Sequence, residues 1–262
     1  MTDLLVRPRV EDGVAVLELA APPANCYSYE MMRQLDAAIL DARMDAAAHV
    51  IVLRGAGDRF FCAGADIRML DSVTPEYKYY FCLHANETLM RLEQTPKLVI
   101  AALNGHCVGG GLEVALACDL RLARRGAGKI GLPEVTLGVL PGTGGTQRLV
   151  RLVGRARALE MMVTGGTMSF EEAQATGLVN QVLEAGDFDA AVLRYARQFC
   201  PPHKASMAVG RIKRAVVTGA EMPFAEALAF ERELQQELFT SNDAREGLAA
   251  YVAKRTPRFE GR

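Results

Sequence analysis

The sequence predicts an α/β fold followed by a helical tail, and three observations carry this. Short β-branched runs such as VIVLR (50–54) and KLVIAAL (97–103) alternate with stretches of helical periodicity, the pattern of strands and helices sharing a sheet system. KLVIAAL is apolar without alternation, the mark of a strand buried on both faces. After residue 187 the strand signal stops and only helical patterns follow.

Taken in order, residues 4–9 and 14–19 read as a hairpin turning at Glu11-Asp12-Gly13. Residues 28–48 show helical spacing through Tyr29, Met32, Leu35 and Ile39. VIVLR is followed by a Gly-punctuated loop to Asp66, then by a helix over 75–93. KLVIAAL leads to three consecutive glycines (109–111), a short helix, and strands near 119–123 and 129–131. The loop PGTGGT (141–146) precedes helices near 155–164 and 169–176, the second opened by a Ser169/Glu172 capping box. VNQVL (179–183) is the last strand, and the tail breaks at Pro201-Pro202, Pro223 and TSND (240–243). The chain thus divides into an α/β core (1–187) and a helical region (188–262).

The 262 residues are half hydrophobic, enough for a sizeable core. A net charge of −1 argues against bulk electrostatic binding of nucleic acid or an anionic membrane. The opening MTDLLVRPRVEDG lacks the basic and apolar regions of a signal peptide. No apolar run approaches the roughly 20 residues needed to cross a bilayer. Six cysteines (26, 62, 82, 107, 118, 200) show no C-x-x-C spacing, which suits free thiols in a reduced, cytoplasmic compartment with no metal centre.

Chemistry concentrates in NGHCVGGGLEVALACD (104–119). Glycine is a poor helix former, yet three stand where a helix begins. A strand ending at a glycine turn before a helix presents unpaired N–H groups that an anion or oxyanion can approach. Close packing of helix on strand is the competing explanation. Neither G-x-G-x-x-G nor G-x-x-x-x-G-K-[ST] is satisfied within 104–119, so dinucleotide and P-loop readings of these glycines lose support. Glu113 follows among apolar neighbours, either as a helix-dipole partner or as an acid–base group whose pKa would rise unless paired. Glu134, after Pro133, is a second such carboxylate or a helix cap. FFCAGADIRML (60–70) repeats the design of strand end, glycine turn and helix. Two turns supplying one N–H each, with two carboxylates, are the parts for enolate chemistry.

These residues resemble the crotonase (enoyl-CoA hydratase/isomerase) superfamily, and most closely its enoyl-CoA hydratases. The resemblance rests on FCAGADI (61–67), AALNGHCVGGGLEVALACDLRLA (101–123), GLPEVTLGVLPGTGGTQRL (131–149) and REGLAAYVAKRTPRFEGR (245–262), and runs over essentially the whole chain. It implies a spiral of repeated β-β-α turns with a C-terminal helical oligomerisation region, giving a trimer or a dimer of trimers. It implies an oxyanion hole from the N–H groups of Ala65 and Gly110, with Glu113 and Glu134 as the catalytic pair. Contacts to substrate and coenzyme A fall on Ala63, Ala65, Asp66, Ile67, Arg68, Gly110 and Gly142, with Tyr251 and Lys254 reaching a neighbouring subunit's ligand. The implied reaction is reversible syn hydration of a 2-enoyl-CoA thioester; coenzyme A belongs to the substrate and no cofactor is required.

Two departures stand out. A basic residue that many relatives carry is missing from APPANCYS (21–28), and a frequent Phe in the last helix is Tyr251. Two alternatives remain at this point. A Δ3,Δ2-enoyl-CoA isomerase needs one base and often lacks a glutamate at the position of Glu113, so the presence of both glutamates favours the hydratase. A non-catalytic RNA- or CoA-binding relative would use Arg148, Arg151 and Arg155, read as one helical face, although a solvated face explains them equally well.

Overall fold

The structure, a computed structural model, describes residues 4–262; residues 1–3, the start of the stretch read for a signal peptide, lie outside them. Strands β1 (Val6–Glu11) and β2 (Val14–Leu19) form the antiparallel hairpin, which turns at Asp12-Gly13. The first strand starts and ends two residues later than its apolar residues suggest, because pairing with β2 runs from Val6–Leu19 to Glu11–Val14. Helix α1 (Tyr29–Met44) is capped by Ser28, whose hydroxyl accepts from the Met31 N–H. It ends four residues before the predicted boundary. Asp45 adopts extended backbone and its carboxylate accepts from the Ala47 N–H at 2.8 Å, an alternative to the next helical turn.

The body is a spiral in which successive turns give one strand to each of two sheets. Strands β3 (Val50–Gly55) and β4 (Phe60–Cys62) form the first pair. After α2 (Ile67–Ser72) and α3 (Pro75–Glu93), β5 (Leu98–Leu103) and β6 (His106–Val108) form the second. After α4 (Gly110–Leu116), β7 (Leu120–Arg124) and β8 (Lys129–Gly131) form the third. The large sheet runs β1-β2-β3-β5-β7-β10, parallel from β2 onward, and closes on β10 (Gln181–Leu183). The small sheet runs β4-β6-β8-β9, with β9 at Thr167–Ser169. Between them lie a 3-10 turn (Glu134–Leu137), α5 (Gly145–Val153), α6 (Arg155–Thr164) and α7 (Phe170–Ala175), the last with the expected Ser169/Glu172 capping box.

Alternate side chains of the central strands explain the unbroken apolar runs. Leu17, Ile51, Leu53, Val99 and Ala101 face a core filled by Met32, Leu35 and Ile39 of α1 and by Phe81, Leu89 and Leu92 of α3. Val16, Val50, Val52 and Ile100 face the opposite way, onto Phe188, Val192 and Ala196 of α8 (Phe188–Arg197). The first helix of the tail therefore lies on the core sheet. The rest of the tail is α9 (Ser206–Gly219), α10 (Phe224–Phe239, beginning at Pro223) and α11 (Asn242–Val252, capped by Ser241).

The basic face expected from Arg148, Arg151 and Arg155 does not form. Gly154, at φ +81°, separates α5 from α6, so Arg155 starts a different helix. Arg148 pairs with Glu93 at 3.0 Å and Arg151 with Glu221 at 2.7 Å.

Candidate active site

Each of the three glycines has its own reason. Gly109 sits at φ +57°, ψ −137°, a conformation closed to most L residues, and turns the chain from β6 into α4. A Cβ on Gly110 would run into the Tyr27 hydroxyl, and one on Gly111 into the Cys62 carbonyl. The second glycine turn comes to meet this one: a Cβ on Gly64 would lie 2.8 Å from the Gly110 nitrogen.

That approach leaves two N–H groups free side by side. Tyr27 bridges to Ala65 in parallel fashion, donating to the Gly64 carbonyl at 2.9 Å and accepting from the Asp66 N–H at 3.0 Å. In such a bridge the N–H of the middle residue, Ala65, points to the other side. Gly110 is the first residue of α4, where an N–H has no intrahelical acceptor. Among the described residues neither N–H has a protein partner.

Glu113, three residues into α4, is 2 % exposed and is cradled by a distant loop. Its Oε1 accepts from the backbone N–H groups of Thr143 and Gly145, both at 2.7 Å, and its Oε2 accepts from the Thr143 hydroxyl. The carboxylate therefore rests on the N-terminus of α5 and is no mere dipole partner of its own helix. Three donors complement an ionised group, the paired state that a carboxylate in apolar surroundings requires. The Thr143 hydroxyl also meets Tyr27 Oη at 3.2 Å, and the Tyr27 phenol is pushed well above its ordinary pKa by burial and then by the charge of Glu113.

Glu134 arrives from the small sheet. The Gly109 N–H donates to the Gly131 carbonyl at 2.9 Å, continuing the β6–β8 pairing, and Pro133 then starts the 3-10 turn. A Cβ on Gly109 would lie 3.3 Å from Glu134 Oε1. Glu134 caps nothing with its Oε2, which is buried without a protein partner among the described residues. Its pKa is raised to about 7, mainly by burial and further by the charge of Glu113. Two neighbouring carboxyl groups thus sit in opposed settings, one saturated with donors and one almost without.

The other sequence-predicted positions divide into two groups. Ala63, Asp66, Ile67 and Arg68 lie along the turn into α2, where Asp66 caps the helix by accepting from the Arg68 N–H at 2.9 Å, and Ile67 and Arg68 are exposed. Gly142 lies on the loop before α5, beside Lys78 and Cys82 of α3. Tyr251 and Lys254, at the end of α11, are exposed and make no hydrogen bond or ion pair to these residues. Sequence reasoning missed Thr143, Gly145 and Tyr27, the residues that hold Glu113. The GTGG loop marked a turn, but nothing in APPANCYS links Tyr27 to a residue 116 positions away.

Residues 9–262 match the family model described as "Enoyl-CoA hydratase/isomerase". The chain is 37% identical over 255 residues to a probable enoyl-CoA hydratase of Bacillus subtilis, covering 96% of this chain and 97% of that one. It is 36% identical over 246 residues to the short-chain-enoyl-CoA hydratase of Clostridium acetobutylicum, covering 94% and 93% respectively. The solved structure of an enoyl-CoA hydratase from Geobacillus kaustophilus superposes with a TM-score of 0.96 at 46% identity, covering 100% of this chain and 98% of that one. With the family match spanning nearly its full length and the fold shared throughout, the chain belongs to the enoyl-CoA hydratase/isomerase family.

Proposed function

We propose that the protein is an enoyl-CoA hydratase, adding water syn across the 2,3 double bond of a 2-enoyl-CoA thioester, reversibly, to give the 3-hydroxyacyl-CoA. The observation that carries this reading is the pair of unlike carboxyl groups beside two free N–H groups. The relatives named as hydratases support it.

The N–H groups of Ala65 and Gly110 receive the thioester oxygen. Polarising the carbonyl draws electron density from C3, and the donors bind the enolate oxygen more strongly than the ground-state carbonyl; each is worth about 3–4 kcal/mol. Glu113, ionised, takes a proton from water as its oxygen bonds to C3. The π electrons move to the enolate, and Glu134, protonated, delivers its proton to C2. Water is consumed, and the proton gained by Glu113 balances the one lost by Glu134. The cradle keeps Glu113 charged and oriented, while burial keeps a proton on Glu134 near neutrality. The chemistry calls for no metal or redox cofactor.

The turn into α2 (Ala63, Ala65, Asp66, Ile67, Arg68) takes the coenzyme A side of the substrate, and Gly142 lies towards the acyl side. The working form is a homo-oligomer, a trimer or a dimer of trimers held through the tail helices, in which Tyr251 and Lys254 of one subunit reach the coenzyme A of the next. No helix among the described residues is long and apolar enough to cross a membrane. All six cysteines are free thiols, which supports a reduced, cytoplasmic setting. The test is decay of the enoyl-thioester absorbance with crotonyl-CoA. A protein that leaves crotonyl-CoA untouched but converts a 3-enoyl-CoA to its 2-enoyl isomer would be an isomerase instead.

A further inference from the structure

Among the described lysines, three are buried or half-buried: Lys78, Lys97 and Lys213. Two of them have oxygen acceptors. Lys97 Nζ donates to the carbonyls of Ala42 and Asp45 at 2.7 Å each. Lys213 Nζ pairs with Asp119 at 2.9 Å and also donates to the Leu92 and Lys97 carbonyls. Lys78 is the exception. Its Nζ lies 2.9 Å from Cys82 Sγ and 5.8 Å from the centre of the Phe81 ring, with no carboxylate or carbonyl partner among the described residues. This half-buried ammonium has only a thiol and a ring face for company, and no anion beside it.

Its location says where that anion comes from. Lys78 Nζ lies 3.8 Å from the position a Cβ would take on Gly142, the residue immediately before Thr143, whose N–H holds Glu113. The thioester carbonyl is received at Ala65 and Gly110, and the coenzyme A side leaves along the turn into α2. Lys78 therefore stands beside the loop that holds Glu113, the group that acts at C3 in the hydratase reading. Exposed apolar residues lie on the same two segments, Val139 and Leu140 on the loop and Tyr77 and Leu83 on α3.

Building on the hydratase reading, we propose that Lys78 binds an anionic group at the far end of the acyl chain, so that the preferred substrates are 2-enoyl-CoA thioesters ending in a carboxylate. The ammonium acts on the end of the chain and takes no part in proton transfer, so it is a specificity residue.

The test compares 2-hexenoyl-CoA with the thioester of 2-hexenedioic acid, and 2-pentenoyl-CoA with glutaconyl-CoA, for the wild type and for Lys78→Met and Lys78→Arg. Wild type is expected to favour the acid-ended member of at least one pair in kcat/KM. Lys78→Met should lower kcat/KM for that substrate about 10- to 100-fold, the worth of a hydrogen bond to a charged group, and change the neutral partner little. Lys78→Arg should restore part of the preference. Equal loss on neutral and acid-ended substrates would make Lys78 a coenzyme A phosphate contact or a structural residue and would overturn the proposal. A wild type that hydrates the neutral thioesters and rejects both acid-ended ones would overturn it too, leaving the hydratase reading intact. Hydration of neither kind would remove both.

Discussion

Thr143 holds Glu113 from two sides, with its backbone N–H on Oε1 at 2.7 Å and its hydroxyl on Oε2. Because that hydroxyl spends its proton on Glu113, the Tyr27 phenol, 3.2 Å away, is the donor in the next bond of the chain. The raised pKa of Tyr27 keeps the phenol protonated for this role. Tyr27, Thr143 and Glu113 therefore form one directed chain ending on the proposed base. Replacing Thr143 with Ala keeps the backbone donor and removes the hydroxyl. Steady-state kinetics with crotonyl-CoA should show kcat lowered about tenfold or more with KM nearly unchanged, and Thr143→Ser should recover most of it. Equal rates for the Ala and Ser variants would show the hydroxyl to be packing alone.

Glu113→Gln and Glu134→Gln should each lower kcat by about 10²–10⁴-fold while the fold is kept, since each removes one half of the proton traffic. Circular dichroism confirms folding, and hydration of crotonyl-CoA reads the loss. Near-normal turnover by Glu113→Gln would end the two-carboxylate mechanism.

The pH profile follows from Glu134, whose pKa is raised to about 7. Hydration needs it protonated, so kcat should fall as pH rises through about 7. Dehydration starts with the proton on Glu113 instead, but the pair again holds a single proton, so its upper limb should fall in the same range. Stability carries the same sign. A carboxyl group whose folded pKa lies above its unfolded value stabilises fully below the unfolded pKa, and that contribution is lost as pH rises through the folded one. Glu134→Gln should therefore flatten the thermal midpoint between about pH 4.5 and 7 relative to wild type. Parallel melting curves for the two proteins across that range would contradict the assignment.

The donor role of Gly110 is testable because two effects can be separated. Any side chain there meets the Tyr27 hydroxyl, so both Gly110→Ala and Gly110→Pro carry the steric cost, but only Pro also loses the N–H. The further drop in kcat from Ala to Pro should be about 10²–10³-fold. Matching rates in two folded variants would remove Gly110 from the oxyanion hole.

Much of this was legible in the residues, for reasons that differ by element. KLVIAAL declared itself as β5 because a strand covered on both faces has no polar side to interrupt it, and α3 ran from Pro75 to Glu93 as its periodicity said. The three-residue strands β6 and β9 were not legible, being too short to show a period; they exist because the spiral stacks the small sheet's strands on one another. The start of helix α5 was hidden for a different reason: it begins at Gly145, a residue that argues for loop until its N–H is seen bonded to Glu113. Glu113 and Glu134 were both visible as unusual carboxylates, but their opposite environments were not. Those depend on Thr143 and Gly145 for one, and on the absence of any donor to Oε2 for the other. Contacts across 30 residues or more leave no local pattern to read.

The tail carries the last prediction. Ile212 and Val216 on α9 are 62 % and 63 % exposed, Phe224 on α10 is 79 % exposed, and Tyr251 and Val252 at the end of α11 are 86 % and 83 % exposed. A cavity of about 840 Å³ opens between α9 and the end of α4, lined by Leu116, Leu152, Ile212 and Val216. A single subunit leaves these apolar surfaces in water, and burial at about 25 cal/mol per Å² favours their covering by another copy. Closed symmetry follows for identical chains. Light scattering should report a trimer or a multiple of it. Val252→Glu places a charge in the exposed patch beside Tyr251, so it should shift the protein towards monomer and, if the proposed reach of Tyr251 and Lys254 to a neighbour's coenzyme A is real, raise KM for crotonyl-CoA. Wild-type KM should likewise rise on dilution below the dissociation point. A wild type that scatters as a monomer at every concentration and keeps full activity would confine the site to one chain and leave Tyr251 and Lys254 without a part in it.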